Sequence, residues 1–258
     1  MIINPYSFGS AAGYNPLTTA WIAATGETDT NILNALNTFE AGLISNSLTG
    51  KFNALYPFVG GTSGKHAFNF IDTAQFQLSF VGGWTHSSGG ALPNGTNAHA
   101  DTTLVPLTTL SLNNTHLSVY TRTNTNVGVD IGVGQSVPTR NMFLATRLGG
   151  SALATINQIN NSSVVTADSL GHFVGSRTGA TTIDLYKNGS SILASTEVSN
   201  ILPSVSIYLG ARRYNSTLDN RAARQLAFAT IGSGLTAGEI STLYTLIQTM
   251  QTSLSRNV

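Results

Sequence analysis

The feature that most constrains the fold is a long series of short segments with period-two alternation, running from about residue 66 to residue 231. In THLSVYTR, for example, Leu117 and Val119 share one face and Tyr120 lies on the other. In TTIDLYKNGSSILAS, two such segments flank Asn188-Gly189, a dipeptide typical of a type I′ hairpin. Strands in this number, with no helix between them, predict an all-β fold: an antiparallel β-sandwich or jelly roll. The predicted strands are 76–81, 98–104, 117–122, 127–133, 142–148, 153–158, 172–177, 182–187, 192–197, 205–210 and 225–231.

The two ends of the chain have other patterns. Residues 1–27 contain prolines and glycines without a clear period and predict an extended N-terminal arm. Residues 28–65 predict a helical segment and linker, because apolar residues recur at helical spacing from Ile32 to Leu43 and again, in a shorter set, from Leu48 to Leu55. Residues 66–258 then form the sandwich and a C-terminal helix, which Thr236 and Glu239 begin with a capping box.

Composition excludes several classes of function. Only 9% of the 258 residues are charged, against about 25% in an ordinary soluble protein, and the net charge is +1. This weak field predicts no nucleic-acid binding, and no apolar run is long enough for membrane insertion. The first residues lack the basic and apolar regions of a signal peptide. The chain has no cysteine, and no dinucleotide or phosphate-loop motif occurs, so we predict neither a disulfide nor a cofactor nor a metal.

The C-terminal half resembles a known family. IDLYKNGSSI, then VSIYLGARR, then RQLAFATIGSGLTAGEISTLY follow the order and spacing of laminin-G-like, concanavalin A-like jelly rolls over about residues 181–245. The sequence departs from the family pattern at AFATIG, where the usual carboxylates are missing. The resemblance implies a concanavalin/laminin-G-like β-sandwich with helices added at both ends.

Two further blocks, LYPFVGGTSGKHAFNF and GGWTHSSGGALPNGTNAHADT, are similar to virion proteins of bacteriophages. This similarity implies a non-enzymatic structural or adhesion protein of a tail, fibre or capsid surface, assembled in the host cytoplasm. Its expected partners are other virion proteins, contacted through the N-terminal arm, further copies of itself in a homo-oligomer, and a host-surface glycan. The alternative is a free-standing, lectin-like carbohydrate-binding module of a bacterial protein.

Candidate site residues are few. Glycoside hydrolysis needs two carboxylates flanking the scissile bond, and no E-x-D-x-x-E strand occurs, so we predict no catalytic residues. His99 and Asp101 share a strand face and are interpreted as an exposed polar pair rather than a metal site. Carbohydrate binding needs an aromatic surface beside hydrogen-bonding groups. The candidates are Trp84, His86, Arg212, Arg213 and Tyr214, with core packing for Trp84 and an oligomer interface for the arginines as the alternatives.

Overall fold

The computed structural model describes residues 13–258, in which helices occupy both ends and strands the middle. The helices are α1 (Pro16–Thr25), α2 (Thr30–Ser45), α3 (Ser63–His66), α4 (Pro106–Thr109) and α5 (Ala237–Ser253). The strands are β1 (Phe52–Tyr56), β2 (Ser79–Val81), β3 (Trp84–Ser87), β4 (Gly90–Pro93), β5 (His99–Asp101), β6 (Thr115–Thr121), β7 (Ile131–Ser136), β8 (Thr139–Leu148), β9 (Ser151–Ile156), β10 (Ser162–Val165), β11 (Gly171–Gly179), β12 (Thr182–Lys187), β13 (Ser190–Ser195), β14 (Tyr208–Leu209), β15 (Arg212–Tyr214), β16 (Thr217–Asp219) and β17 (Leu226–Gly232).

The strands form two sheets, which confirms the predicted antiparallel sandwich. The first sheet has eight strands in the order β13-β12-β11-β6-β17-β4-β3, with β1 paired to β17. The second has nine, in the order β10-β9-β8-β7-β14-β5-β2, with the β15–β16 hairpin beside β7. All pairings are antiparallel except that of β15 with β7. The predicted strand 182–187 matches β12, whereas β3, β4, β10, β15 and β16 were not predicted.

Helix α1 corrects the extended conformation expected for the part of the arm that the structure describes. Pro16 occupies the first helical turn, where its missing N–H costs nothing, and Gly26 ends the helix with a φ of 63°. The buried carboxylate of Glu40 on α2 accepts the backbone N–H groups of Leu17 and Thr18, which fixes α1 to α2. Residues 1–12 of the predicted arm 1–27 lie outside the described residues, and the prediction that this arm contacts other virion proteins stays a prediction.

The second correction is strand β1, because the segment from Leu48 to Leu55 was expected to be helical. Its apolar residues also suit a strand, and pairing with β17 places Ala54 and Tyr56 between the sheets and Phe52 and Leu55 on the opposite face. A strand that buries both faces shows no clean alternation, so its sequence resembles that of a buried helix. The end of this predicted helical segment, from Phe52 onward, therefore belongs to the first sheet.

Helices cover the outer face of the first sheet, whereas the outer face of the second carries a smaller apolar cluster that includes Phe143 and Ala145. One apolar cluster fills the space between the sheets, and another lies between the first sheet and α1, α2 and α5. The stripe Ile240, Leu243, Ile247 and Met250 of α5 is buried in this second cluster, and the Thr236–Glu239 capping box forms as predicted. We call the eight-stranded sheet the covered sheet and the nine-stranded one the open sheet.

No helix of residues 13–258 has the length and hydropathy needed to cross a membrane.

Candidate functional site

Trp84 closes one edge of the sandwich. It lies on β3, at the edge of the covered sheet, and its indole N–H donates to the carbonyl oxygen of His99 on the open sheet, at 3.1 Å. The ring lies against Gly210, where an added Cβ would be 2.9 Å from the indole. The N–H is occupied within the protein and the ring is half-buried, so Trp84 packs the sandwich edge, and its role in sugar binding stays a prediction.

His86 lies beside Trp84 in the same aromatic cluster. Its Nδ1 is 2.9 Å from Nδ1 of His66 on α3, and its ring packs edge-on against Phe80 with the ring centroids 4.6 Å apart. Burial, and then the positive charges of His86 and Arg256, lower the pKa of His66 to about 3. Burial also lowers the pKa of His86, so both rings are neutral near pH 7 and one Nδ1 donates to the other. This bond directs Nδ1 of His86 into the protein.

Arg212 is held by an ion pair and by two rings. Its Nε and Nη2 donate to Oδ1 and Oδ2 of Asp219 at 2.9 and 2.5 Å. The guanidinium lies 5.0 Å from the ring centroid of Phe143 and 4.8 Å from that of Tyr214, distances typical of cation–π contacts. Tyr214 extends over β7 because Gly134 has no side chain there. Arg212 therefore positions Tyr214, and its bidentate pair with Asp219 occupies much of its hydrogen-bonding capacity.

Arg213 belongs to a row of side chains that crosses the outer face of the open sheet. Its guanidinium lies 5.3 Å from the ring centroid of Tyr208, and Nη1 donates to Oγ of Ser206 at 2.8 Å. Tyr208 in turn stacks on His99, with the centroids 4.8 Å apart and the planes 23° apart. Asp101 is the direct cross-strand neighbour of Tyr208. We call His99, Asp101, Tyr208 and Arg213 the outer-face row.

The environment of the outer-face row is partly aqueous and contains both charges. Burial raises the pKa of Tyr208, while the charge of Arg213 lowers it and that of Asp101 raises it. All four side chains are half-buried. Ala100 and Leu209 belong to the core between the sheets, so alternation directs His99, Asp101 and Tyr208 to the outer face. Arg213 joins them through its contacts with Tyr208 and Ser206. Phenol, imidazole, carboxylate and guanidinium groups together supply both donors and acceptors there.

Sequence reasoning found part of this row. Arg213 and Tyr214 were predicted as site residues, and His99 with Asp101 as a polar pair, but Tyr208 was missed. The sequence does indicate an outward-facing Tyr208, because it alternates with the apolar residues Ile207 and Leu209 in the predicted strand 205–210. Trp84 and His86 connect to the row through the hydrogen bond from Trp84 to the carbonyl of His99.

In the described part of the chain, no group of three or more His, Cys, Asp and Glu side chains is arranged to hold a metal ion.

Comparison with known proteins gives similarity at the level of the fold. No family model matches the sequence, and no curated protein matches it. Among solved structures, Trypanosoma rangeli sialidase in complex with sialic acid aligns with a TM-score of 0.54 and 14% identity, over 74% of this chain and 32% of the sialidase. The binding domain of botulinum neurotoxin serotype D aligns with a TM-score of 0.53 and 11% identity, over 78% and 53%. The receptor binding domain of the C/D mosaic serotype gives 0.53 and 12%, over 76% and 51%.

The chain thus spans about a third to a half of the length of these three proteins. At such identities the similarity shows a β-sandwich fold and no more. The three proteins include an enzyme and two binding domains, so the fold alone does not decide between catalysis and binding.

Proposed function

We propose that this protein is a non-enzymatic carbohydrate-binding module whose ligand lies across the outer face of the open sheet. The observation that carries the proposal is the outer-face row, in which Tyr208 is held between His99 and Arg213. Its sheet has no long helix against it in residues 13–258, in contrast to the covered sheet.

The chemistry of this face suits a sugar. The partly exposed ring of Tyr214 offers an apolar surface for the C–H groups of a pyranose, and the outer-face row beside it offers hydrogen-bond donors and acceptors. The rings are fixed by stacking and cation–π contacts before any ligand arrives, so little side-chain entropy is lost on binding. A face of this kind binds through several modest contacts, and display in several copies would multiply their effect.

The carboxylates near this face support binding rather than hydrolysis. Both oxygens of Asp219 accept from Arg212, and Oδ1 of Asp101 accepts the N–H of Thr103 at 2.8 Å. A glycosidase needs one carboxyl group that is protonated and donates to the leaving oxygen. The bidentate contact with Arg212 occupies both oxygens of Asp219, so neither is placed to donate to a leaving group.

The test is a glycan array, followed by calorimetry on the glycans that bind. We expect Arg213→Gln and Tyr208→Phe to weaken binding, the first at least tenfold, which corresponds to about 1.4 kcal/mol. Arg122→Gln, at the residue that follows β6 of the covered sheet, is the matched control and should bind like the parent chain. Equal binding by all three variants, or turnover of any glycan that binds, would overturn the proposal. Trp84→Ala is a poor test, because it also removes the packing at the sandwich edge.

The finer assignment to a bacteriophage virion is proposed on the two sequence blocks alone. In the structure these blocks contribute His66, Trp84 and His86, which form the aromatic cluster at the sandwich edge. We propose that the module is carried on the particle in several copies. Co-purification with particles supports this assignment, whereas a monomer that is absent from particles and binds glycans supports the free-standing lectin.

A further inference from the structure

A pocket of about 420 Å³ lies between the helical layer and the sandwich, away from the outer-face row. Its walls come from the start of α2, the loop after β1, the β3–β4 turn and the segment that follows α5. This volume is within the range of about 300–1,000 Å³ in which proteins hold small ligands. The proposed function uses none of the residues that line it.

An ion pair forms one wall of the pocket. Nζ of Lys65 lies 3.0 Å from Oε2 of Glu27, and Oε1 of Glu27 accepts the N–H groups of Thr28 and Asp29 at 2.9 and 3.1 Å. Burial alone would raise the pKa of Glu27, but the hydrogen bonds from the Asp29 N–H and from Lys65 hold it below its ordinary value. The pair is therefore ionised and rigid, and its net charge is zero.

Gly60 makes room for this pair. Its φ is 85°, and an added Cβ would lie 2.5 Å from Cδ of Lys65 and 2.8 Å from Oε2 of Glu27. The Lys65 side chain remains partly exposed, whereas Glu27 is only 7% exposed. The pocket thus presents a fixed donor beside a fixed acceptor.

Two features of the pocket limit the ligand. A donor and an acceptor about 3 Å apart match two neighbouring hydroxyl groups, one of which accepts from Nζ while the other donates to the carboxylate. The side chains of Ile32, Val59 and Leu254 add an apolar wall suited to C–H groups. Asp29 and Arg256 also line the pocket, so its four charged side chains sum to zero and give little advantage to a charged ligand.

We propose that this pocket binds the vicinal diol of a neutral sugar. The inference goes beyond the proposed function, because it concerns a separate site that would bind its ligand whether or not the outer-face row binds a glycan.

Saturation-transfer NMR on the full chain tests the proposal. The probes are methyl α-glucoside, methyl α-mannoside and cyclohexane-1,2-diol, with cyclohexanol as the probe that lacks a second hydroxyl. We expect transfer to all three probes that have neighbouring hydroxyl groups, and much less to cyclohexanol. Equal transfer to cyclohexanol and to cyclohexane-1,2-diol would overturn the proposal.

Variants locate the binding. Lys65→Met and Glu27→Gln should abolish transfer to cyclohexane-1,2-diol. The control Lys187→Met should not, although it breaks a similarly short ion pair with Asp168, at 2.7 Å.

Ile32→Trp fills the pocket without touching the pair and should also abolish transfer, which keeps the test valid if a pair variant fails to fold. Undiminished transfer in the folded Ile32→Trp or Lys65→Met variant would refute the site. Transfer to the diol that Arg213→Gln lowers and Lys65→Met leaves intact would come from the outer-face row and would refute this pocket.

Discussion

Three buried, neutral histidines should make this fold sensitive to mild acid. His172 lies on β11 with neither ring nitrogen hydrogen-bonded and its ring stacked on Tyr244 of α5. Burial, and then the charge of His116, lower the pKa of His172 to about 3. Burial lowers the pKa of His116 to about 4, against the opposing hydrogen bond to the Ser233 carbonyl, and that of His66 to about 3.

The sign of the effect follows from proton linkage. The unfolded chain takes up a proton at each histidine near pH 6.5, whereas the folded chain does so only near pH 3 to 4. The unfolded state therefore binds more protons between these values, and stability is lost as the pH falls below 6.5. Between pH 7.5 and 5.5 each histidine costs about 1.4 kcal/mol, so the three together cost about 4 kcal/mol. This window lies above the ordinary titration range of carboxylates, so they contribute little to it.

Urea unfolding at pH 7.5 and 5.5, followed by circular dichroism, measures this loss. The variant His172→Phe keeps a stacked ring but removes one titrating group, so its loss should fall to about 2.7 kcal/mol. The control Phe173→Leu changes a neighbouring buried side chain and should lower stability equally at both pH values. A free energy of unfolding that does not change between the two pH values would refute the reasoning, as would a full loss in His172→Phe.

Three further predictions concern stability and are all measured by urea unfolding at pH 7.5. Arg224→Met leaves Asp130 without its partner in a pair whose two side chains are 0% exposed, and should cost about 3–5 kcal/mol. Thr236→Ala removes the side-chain cap of α5 and should cost about 1 kcal/mol. Gly210→Ala places a Cβ 2.9 Å from the Trp84 indole at a φ of 78°, and should cost about 1–3 kcal/mol and shift the tryptophan fluorescence. A cost below half of the expected value would contradict the structural reading in each case.

The elements that could be predicted are those with local causes. The hairpin at Asn188-Gly189 forms with positive φ at both turn residues, 49° and 78°, because this dipeptide favours such a turn by itself. The capping box at Thr236 is equally local. Strand β1 could not be predicted, since only its pairing with β17, far along the chain, decides between strand and helix. The same holds for α1, whose packing depends on Glu40.

The candidate sites depend even more on distant contacts. The residue types at Trp84 and Arg212 are right for sugar binding, but the contacts that occupy them, with His99 and Asp219, follow from strand pairing. The pocket at Lys65 was not predicted, because its walls come from segments far apart in the chain, from Glu27 to Arg256. No local pattern in the sequence brings Glu27 and Lys65 together, so the ion pair becomes visible only in the folded chain.

The low charge of the sequence has a consequence for binding that follows from where the charges lie. Three arginines are buried and donate to carbonyls, side chains or Asp130 inside the protein, namely Arg177, Arg224 and Arg256. The surface therefore carries fewer free cations than the composition suggests, and Arg213 is the cation of the outer-face row. Raising the salt from about 0.1 M to about 1 M shortens the screening length from about 10 Å to about 3 Å. The dissociation constant of a neutral glycan should then stay nearly constant, whereas that of an acidic glycan bound through Arg213 should rise, so the salt dependence of binding distinguishes the two ligand classes.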